Sequence, residues 1–414
     1  MPFHIFAAMP DLEKYEAVIG LEVHTQLLTQ SKLFCGDSTQ FGNPPNTNVS
    51  AISLGHPGTL PVMNEKAVKL AIKLGLAFNC DIIRNNYFAR KNYFYPDLPK
   101  GYQVTQHTTP ICKNGTIPIR VNGEERNILL NRIHLEEDAG KSIHDADENF
   151  TCIDLNRAGV PLLEIVSEPD MHSSEEAFAY VTEIRKMVRH LKICDGNMEE
   201  GSMRCDANIS VRLKGEENLG TKVEVKNLNS IRNVKKAIDY EINRLVGLLE
   251  KGETIMQQTR SFDAANGTTF SLRSKEEAND YRYFPEPDLA PFFVAEEQIE
   301  SIRSSLPELP IALEKRLINQ YSISAEAAKI IADDRETASF FENITQLTKH
   351  SKAAANWIIG PVKSYLNENN SEIENFPIAT KTLAELVNIV EEGKVGFGIA
   401  ASKIFPLLIQ SSDK

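Results

Sequence analysis

Glu22 and His24 lie two residues apart in Tyr15 to Leu28, where polar and apolar residues alternate. Alternation of that kind predicts a strand with both side chains on one face. Ala17, Ile19, Leu21 and Val23 then share the other face. Arg204 to Leu213 alternates in the same way, which places Asp206 and Asn208 together. Thr221 to Lys226 does so again, with Glu224 beside Lys226. Gly215 and Gly220 fall between the last two runs, so these read as an antiparallel hairpin with a long loop. A further acidic run, Glu136-Glu137-Asp138, leads into Ala139-Gly140-Lys141. Carboxylates gathered around one imidazole, without paired cysteines, suit a hard cation such as Mg²⁺ better than zinc. Mg²⁺ serves phosphoryl transfer, and nearby lysines can meet phosphate as point charges. The plain alternative is a set of solvated strand faces.

Two aromatic and cationic clusters accompany these groups. The first runs from Arg90 to Gln103 and contains Lys91, Tyr93, Phe94, Tyr95 and Lys100; the second is Tyr281 to Asp288. Aromatics interleaved with cations can stack on bases and pair with phosphates. The same mixture also makes packed loops whose lysines keep only their charged ends in water. The prolines of the second cluster equally suit an interdomain joint.

The elements that must position these groups divide the chain near Pro291. Strand alternation and three helices precede it, and helical periodicity follows. Asn64 to Phe78 reads as a helix capped by Asn64, Ser174 to Leu191 as one capped by Ser174, and Ser230 to Lys251 as one capped by Ser230. After Ala295, Leu306 to Pro310 reads as a proline-punctuated joint. Ser324 to Ala332, Glu336 to Leu347, Ala353 to Leu366 and Thr380 to Glu391 read as helices. The expectation is an α+β chain, with a catalytic domain over 1–294 and a helical domain over 295–414.

At 414 residues, the chain is too long for one core. Its six cysteines are scattered, as expected of thiols in a reducing compartment. No run approaches the roughly 18 apolar residues of a membrane span, and Met1 to Asp11 lacks a basic start, so the reading places the chain in the cytoplasm, away from membranes. The net charge of −12 argues against an unaided grip on a large RNA surface.

Several motifs imitate familiar sites. Gly140-Lys141-Ser142 ends like a phosphate loop, but Leu135 occupies the position of the required earlier glycine. Gly396-Phe397-Gly398 follows no strand. Asp145, Asp147 and Asn149 open like a calcium loop, but Phe150 stands where such a loop needs glycine. No G-x-S-x-G segment or glycine/serine-rich amidase-type nucleophile segment is present, so the chain shows no obvious means of hydrolysing glutamine itself.

Taken together, the chemical segments resemble the B subunits of tRNA-dependent amidotransferases. The resemblance rests on I-G-L-E-V-H from Ile19, R-K-N-Y-F-Y-P-D from Arg90 and H-L-E-E-D-A-G-K-S from His134. It continues with L-N-R-A-G-V-P-L-L-E-I-V-S-E-P-D from Leu155 and M-E-E-G-S-M-R-C-D-A-N-I-S from Met198. K-N-L-N-S from Lys226 and D-Y-R-Y-F-P-E-P-D from Asp280 complete it. It implies a cradle-like catalytic domain followed by a helical one. It implies that ATP phosphorylates the side-chain carboxylate of Glu-tRNA(Gln) or Asp-tRNA(Asn), and that ammonia then forms the amide. An amidase subunit, A, would supply the ammonia, and a small subunit, C, would complete a heterotrimer. Carried over by motif, the Mg²⁺ positions are Glu22, His24, Glu137, Asp206 and Glu224. Lys91, Tyr93, Tyr95, Asn208 and Lys226 are expected near the nucleotide or the tRNA end.

The chain departs from the family pattern in two places. Some members hold zinc with C-x-C and C-x-x-C, whereas the matching positions here are Cys35, Asp37, Ser50 and Ser53, so no Zn²⁺ is expected. The family's further tail domain is also expected to be absent. Two other readings compete: a non-catalytic scaffold that holds tRNA, and an ATP- and metal-dependent ligase acting on a small acid without RNA.

Overall fold

The computed structural model describes residues 12–144, 146–274 and 281–412. Met1–Asp11, Asp145 and Asp280, which entered the sequence reading, lie outside the described residues. Two units divide between Leu306 and Pro307. The sequence reading divides the chain at 294/295. The helix Glu296–Ser304 stays with the first unit, because Val294 N–H bonds the Arg84 carbonyl and Arg84 pairs with Glu296.

The first unit is built on a thirteen-stranded sheet. The strands that matter here are β1 (Tyr15–Gln26), β2 (Ala89–Asn92), β3 (Tyr102–Thr105), β4 (Glu124–Glu137) and β5 (Pro161–Ser167). They continue with β6 (Met203–Leu213), β7 (Val223–Leu228), β8 (Gln258–Asp263), β9 (Thr268–Ser274) and β10 (Arg282–Pro285). Their spatial order is β9-β8-β7-β6-β1-β5-β4-β3-β2-β10. Each neighbouring pair is antiparallel except β7 and β8, which the helix Ile231–Glu250 connects as a parallel crossover. The expected hairpin is β6 and β7, paired antiparallel with a bulge between Cys205 and Ala207. Its return loop requires Gly220, where a Cβ would collide with the Val211 carbonyl oxygen.

Alternation along β1 puts Ile19, Leu21 and Val23 into the core, with Ile209, Ala207 and Cys205 opposite them. Three helices supply apolar faces to this unit. The first is α1 (Glu65–Ala77), where the Asn64 side chain accepts from the backbone N–H groups of Lys66 and Ala67. The second is α2 (Ser174–His190), and the third is α3 (Ile231–Glu250), capped by Ser230 as expected. The cap of α2 is Ser173 rather than Ser174. Ser173 is extended and accepts from the Glu176 N–H, while Ser174 is already helical and buried.

The second unit is all helical. Leu317, Ile331, Phe341, Trp357, Val362, Leu383 and Phe405 form its core. The sequence reading passed over the helix Pro310–Tyr321, which opens on the proline at the end of the expected joint. The expected helix from Ala353 to Leu366 is interrupted by a π-turn, Ile358–Val362, around Pro361, which lacks an N–H to donate. Among the described residues no helix is long and apolar enough to cross a membrane.

Candidate metal centre

The face of the sheet opposite to Val23 is polar across many strands. In the register, His24 stands opposite Glu164 on β5 and Arg204 on β6, and Glu164 stands opposite His134 on β4. Direct antiparallel partners share a face, so these four side chains form one row. Glu22 pairs with Asp206 in the next row. Glu136 is two residues beyond His134 and therefore joins the same face.

The resulting cluster is tight. His24 Nε2 is 3.3 Å from Glu164 Oε2. His134 Nε2 lies 3.6 Å from both Glu136 Oε2 and Glu164 Oε2. His24, Glu136 and Glu164 each offer a ligand atom, and these atoms all lie within 4.8 Å of one another. Imidazole and carboxylate oxygens without thiolates are a donor set for a hard divalent cation. The residues therefore fit the metal expected from sequence.

Burial and mutual charge shift these groups strongly. Burial opposes charge on His24, but the hydrogen bond and charge of Glu164, aided by Asp206 and Glu136, push it up to about 9. Burial opposes charge on Glu164 as well, yet His134 and the His24 bond hold its carboxyl well below the usual range. Burial and the Glu164 charge raise the Glu22 carboxyl. Asn208 Nδ2 donates to Glu22 Oε1 at 3.0 Å and orients it.

On the β7 side, Lys226 Nζ bridges Asp206 at 2.9 Å and Glu224 at 3.0 Å. Burial opposes its charge, but these two carboxylates hold the ammonium well above its ordinary range. Thr259 Oγ1 donates to the second oxygen of Glu224 at 2.9 Å. On the β2 side, Lys91 stands opposite Tyr283 and Gln103 in the register. Its ammonium lies 4.8 Å from the centre of the Tyr281 ring and 5.7 Å from that of Tyr93. Burial works against the Lys91 charge, and Glu136 outweighs it. Tyr93 and Tyr95 meet edge-on, with Tyr95 half exposed.

Of the residues expected from sequence, Glu22, His24, Lys91, Asp206, Asn208, Glu224 and Lys226 thus share one face. Glu137 does not. It follows Glu136 on β4 and points to the opposite side, where Lys100 Nζ meets its Oε1 at 2.5 Å and the Val104 N–H donates to it at 2.8 Å. Glu136 occupies the place that the sequence reading gave to Glu137. That reading also missed Glu164. The signal was a single acid inside the apolar run Pro161-Leu162-Leu163-Glu164-Ile165-Val166.

Cys35, Asp37, Ser50 and Ser53, the positions compared with a zinc pattern in the sequence reading, also converge. Asp37 Oδ2 accepts from Ser53 Oγ at 2.5 Å and from the Ser50 N–H at 2.8 Å. Cys35 Sγ lies 3.3 Å from Ser53 Oγ. Hydrogen bonds tie this loop together.

Comparison with known proteins matches residues 17–300 to the GatB/GatE catalytic domain. Residues 339–414 match a second domain described as the GatB domain. The B subunit of an aspartyl/glutamyl-tRNA(Asn/Gln) amidotransferase from Thermodesulfovibrio yellowstonii is 51% identical, over 92% of this chain and 80% of its own length. The protein of the same name from Nitratidesulfovibrio vulgaris is 50% identical, over 93% of this chain and 81% of its own. The one from Chlorobium limicola is 51% identical, over 95% and 83%. At half identity across more than nine-tenths of its length, the chain belongs to the GatB/GatE family, the B subunits of the amidotransferases that carry out transamidation of misacylated tRNA.

Proposed function

We propose that this chain activates the side-chain carboxylate of Glu-tRNA(Gln) or Asp-tRNA(Asn) with ATP and then presents it to ammonia. The observation that carries the reading is the buried carboxylate and imidazole cluster on the polar face, flanked on both sides by lysines. A carboxylate is a poor acyl donor. Its oxygen attacks the γ-phosphorus of ATP and ADP departs. Ammonia then attacks the acyl carbon and phosphate departs, leaving the amide.

His24, Glu136 and Glu164 would hold Mg²⁺ in this reading, with Glu22 and Asp206 beside them. Bound there, Mg²⁺ would supply charge neutralisation to phosphate oxygens. Lys226 and Lys91 face the phosphates as point charges. Glu224 and Asp206 fix the position of Lys226, and Asn208 fixes that of Glu22. Tyr93 and Tyr95 offer ring faces to a base. A partner amidase subunit, A, supplies ammonia, and a small subunit, C, completes a heterotrimer. The reaction belongs to the cytoplasm, with the tRNA pool.

ATP hydrolysis by the assembled complex tests this, with Mg²⁺ and glutamine present, with and without Glu-tRNA(Gln). The expected result is stimulation by Glu-tRNA(Gln) that Glu164→Gln abolishes. Hydrolysis indifferent to both would make the chain a scaffold.

A further inference from the structure

The polar face continues past the metal cluster into a cavity of about 560 Å³. Gln26 and Arg204 form its wall nearest the cluster, since Gln26 is two residues beyond His24 and Arg204 is the cross-strand partner of His24. Asp138 anchors both. Its Oδ1 accepts from Arg204 Nη2 at 2.8 Å, and its Oδ2 accepts from Gln26 Nε2 at 2.8 Å. Arg157 braces the same carboxylate at 3.7 Å while its guanidinium donates to the Ala139 and Gly140 carbonyls. Asp138 is 4% exposed, and burial, which opposes its charge, is outweighed by Arg204 and Arg157.

This arrangement fixes Arg204 in place and leaves it capacity. Asp138 takes one Nη2 hydrogen, and the guanidinium keeps further N–H groups, at Nη1 among them, to offer a second carboxylate. Val160, Met198 and Leu228 give the cavity an apolar lining, and each is buried. At its rim the exposed Glu199 and Glu200 are presented by a turn in which Asn197 Oδ1 accepts from both of their N–H groups. The cavity is therefore lined by the cations Arg204, Arg157 and Lys141, by apolar walls, and by the carboxylates Asp154, Glu199 and Glu200, with Arg204 nearest the metal cluster and Glu199 and Glu200 exposed.

An aminoacyl ester of glutamate or aspartate has the complementary pattern. It carries a carboxylate at one end, a short methylene stem, and an α-ammonium beside the ester. We propose that this cavity receives the aminoacyl end of the substrate. Arg204 reads the side-chain carboxylate and turns it toward the metal cluster, and Glu199 and Glu200 receive the α-ammonium. Arg204 is a specificity residue in this assignment, because the amide product lacks the charge that it reads. The assignment rests on the polar face being the reacting face.

Equilibrium binding to the assembled complex, without ATP, tests it with three forms of one tRNA: Glu-tRNA(Gln), Gln-tRNA(Gln) and N-acetyl-Glu-tRNA(Gln). The wild type should prefer Glu- over Gln-tRNA(Gln) by on the order of tenfold. Arg204→Gln should bind the two equally. Glu199→Gln with Glu200→Gln should instead lose the preference over the N-acetylated form. Mn²⁺ affinity of the same proteins separates this assignment from the metal reading. Arg204→Gln should keep it, whereas Glu164→Gln should lower it. Arg204→Lys, which keeps charge and approximate volume, guards against misfolding and should retain only part of the preference. Undiminished Glu-over-Gln preference in Arg204→Gln or Arg204→Lys would overturn the assignment. So would loss of Mn²⁺ binding together with the preference, since Arg204 would then support the metal site instead.

Discussion

Two buried charge clusters occupy the same unit and are composed in opposite ways. At Glu241 on α3, a single carboxylate with no exposure meets two guanidinium groups. Arg244 Nη2 is 2.7 Å from its Oε2, Arg260 Nε is 3.0 Å from its Oε1, and the Thr269 hydroxyl also donates to it. The carboxylate there is fully answered by protein, and the cluster ties α3 to β8 and β9. At His24 the proportions reverse. Glu22, Glu136, Glu164 and Asp206 gather around two imidazoles, His24 and His134, with Arg132 3.8 Å from Glu164 and Lys226 2.9 Å from Asp206, so carboxylates outnumber the fixed cations. A protein does not gather like charges out of water for stability. The first cluster holds the fold, and the carboxylate-rich one is where we propose a cation binds.

The sharpest way to break this comparison is to remove the carboxylate from each cluster. Glu241→Ala leaves the partly buried Arg244 and Arg260 without the carboxylate they share. It should cost about 3–5 kcal/mol of stability, read as a fall in denaturation midpoint. Retained stability would show that the clamp is dispensable. Glu164→Gln should act the other way. ATP hydrolysis stimulated by Glu-tRNA(Gln) should fall roughly 10²-fold or more, while the melting temperature falls less than in Glu241→Ala, because the Gln amide keeps the shape and a hydrogen-bonding oxygen for His24 and His134. A variant that unfolded but kept its activity when refolded would reverse the roles assigned to the two clusters.

A finer test lies within one strand. Glu136 and Glu137 are adjacent, chemically identical and both buried, yet the pleat sends them to opposite faces. Glu136→Gln should lower Mn²⁺ affinity by at least about tenfold. Glu137→Gln should leave it unchanged and instead loosen Lys100, which Glu137 holds. Equal effects from both substitutions would mean that the strand register is wrong at this point.

That pair also shows what the sequence could disclose. Where a strand has one dry and one wet face, as in β1, β6 and β7, alternation is open to inspection. Glu22, His24, Asp206, Asn208, Glu224 and Lys226 were legible for that reason. β5 is covered on both faces, with Leu162 and Leu163 both buried, so its period is masked and Glu164 is lost in an apolar run. β4 ends in adjacent buried acids, and nothing local says which one faces His24. The cavity wall at Arg204 depends on an anchor 66 residues away in the chain, at Asp138, and no local pattern carries that. Helix caps were legible to within one residue, because the choice between Ser173 and Ser174 turns on backbone dihedral angles.

A third carboxylate lies between the two extremes and should give the smallest effect. Asp37 is partly exposed, and the groups that satisfy it are neutral: the Ser53 hydroxyl and the Ser50 N–H. Neutral donors stabilise a carboxylate without requiring a counter-ion, so this loop can close by hydrogen bonding alone. Burial opposes the charge, but the Ser53 and Ser50 bonds outweigh it and hold the Asp37 carboxyl below its ordinary value of 3.8. Because its folded value is depressed, its contribution is present above the unfolded value and fades as pH falls below 3.8 toward the folded one. Asp37→Asn keeps the shape and removes the charge, so it should cost only about 1 kcal/mol at neutral pH. The difference between wild type and variant should vanish in acid. Hydrogen exchange at the Ser50 amide gives the local readout. Faster exchange in the variant at neutral pH, converging with wild type in acid, is the expected result. A difference that persisted in acid would mean that packing by Pro44, Pro45 and Pro57, rather than the Asp37 charge, holds the loop.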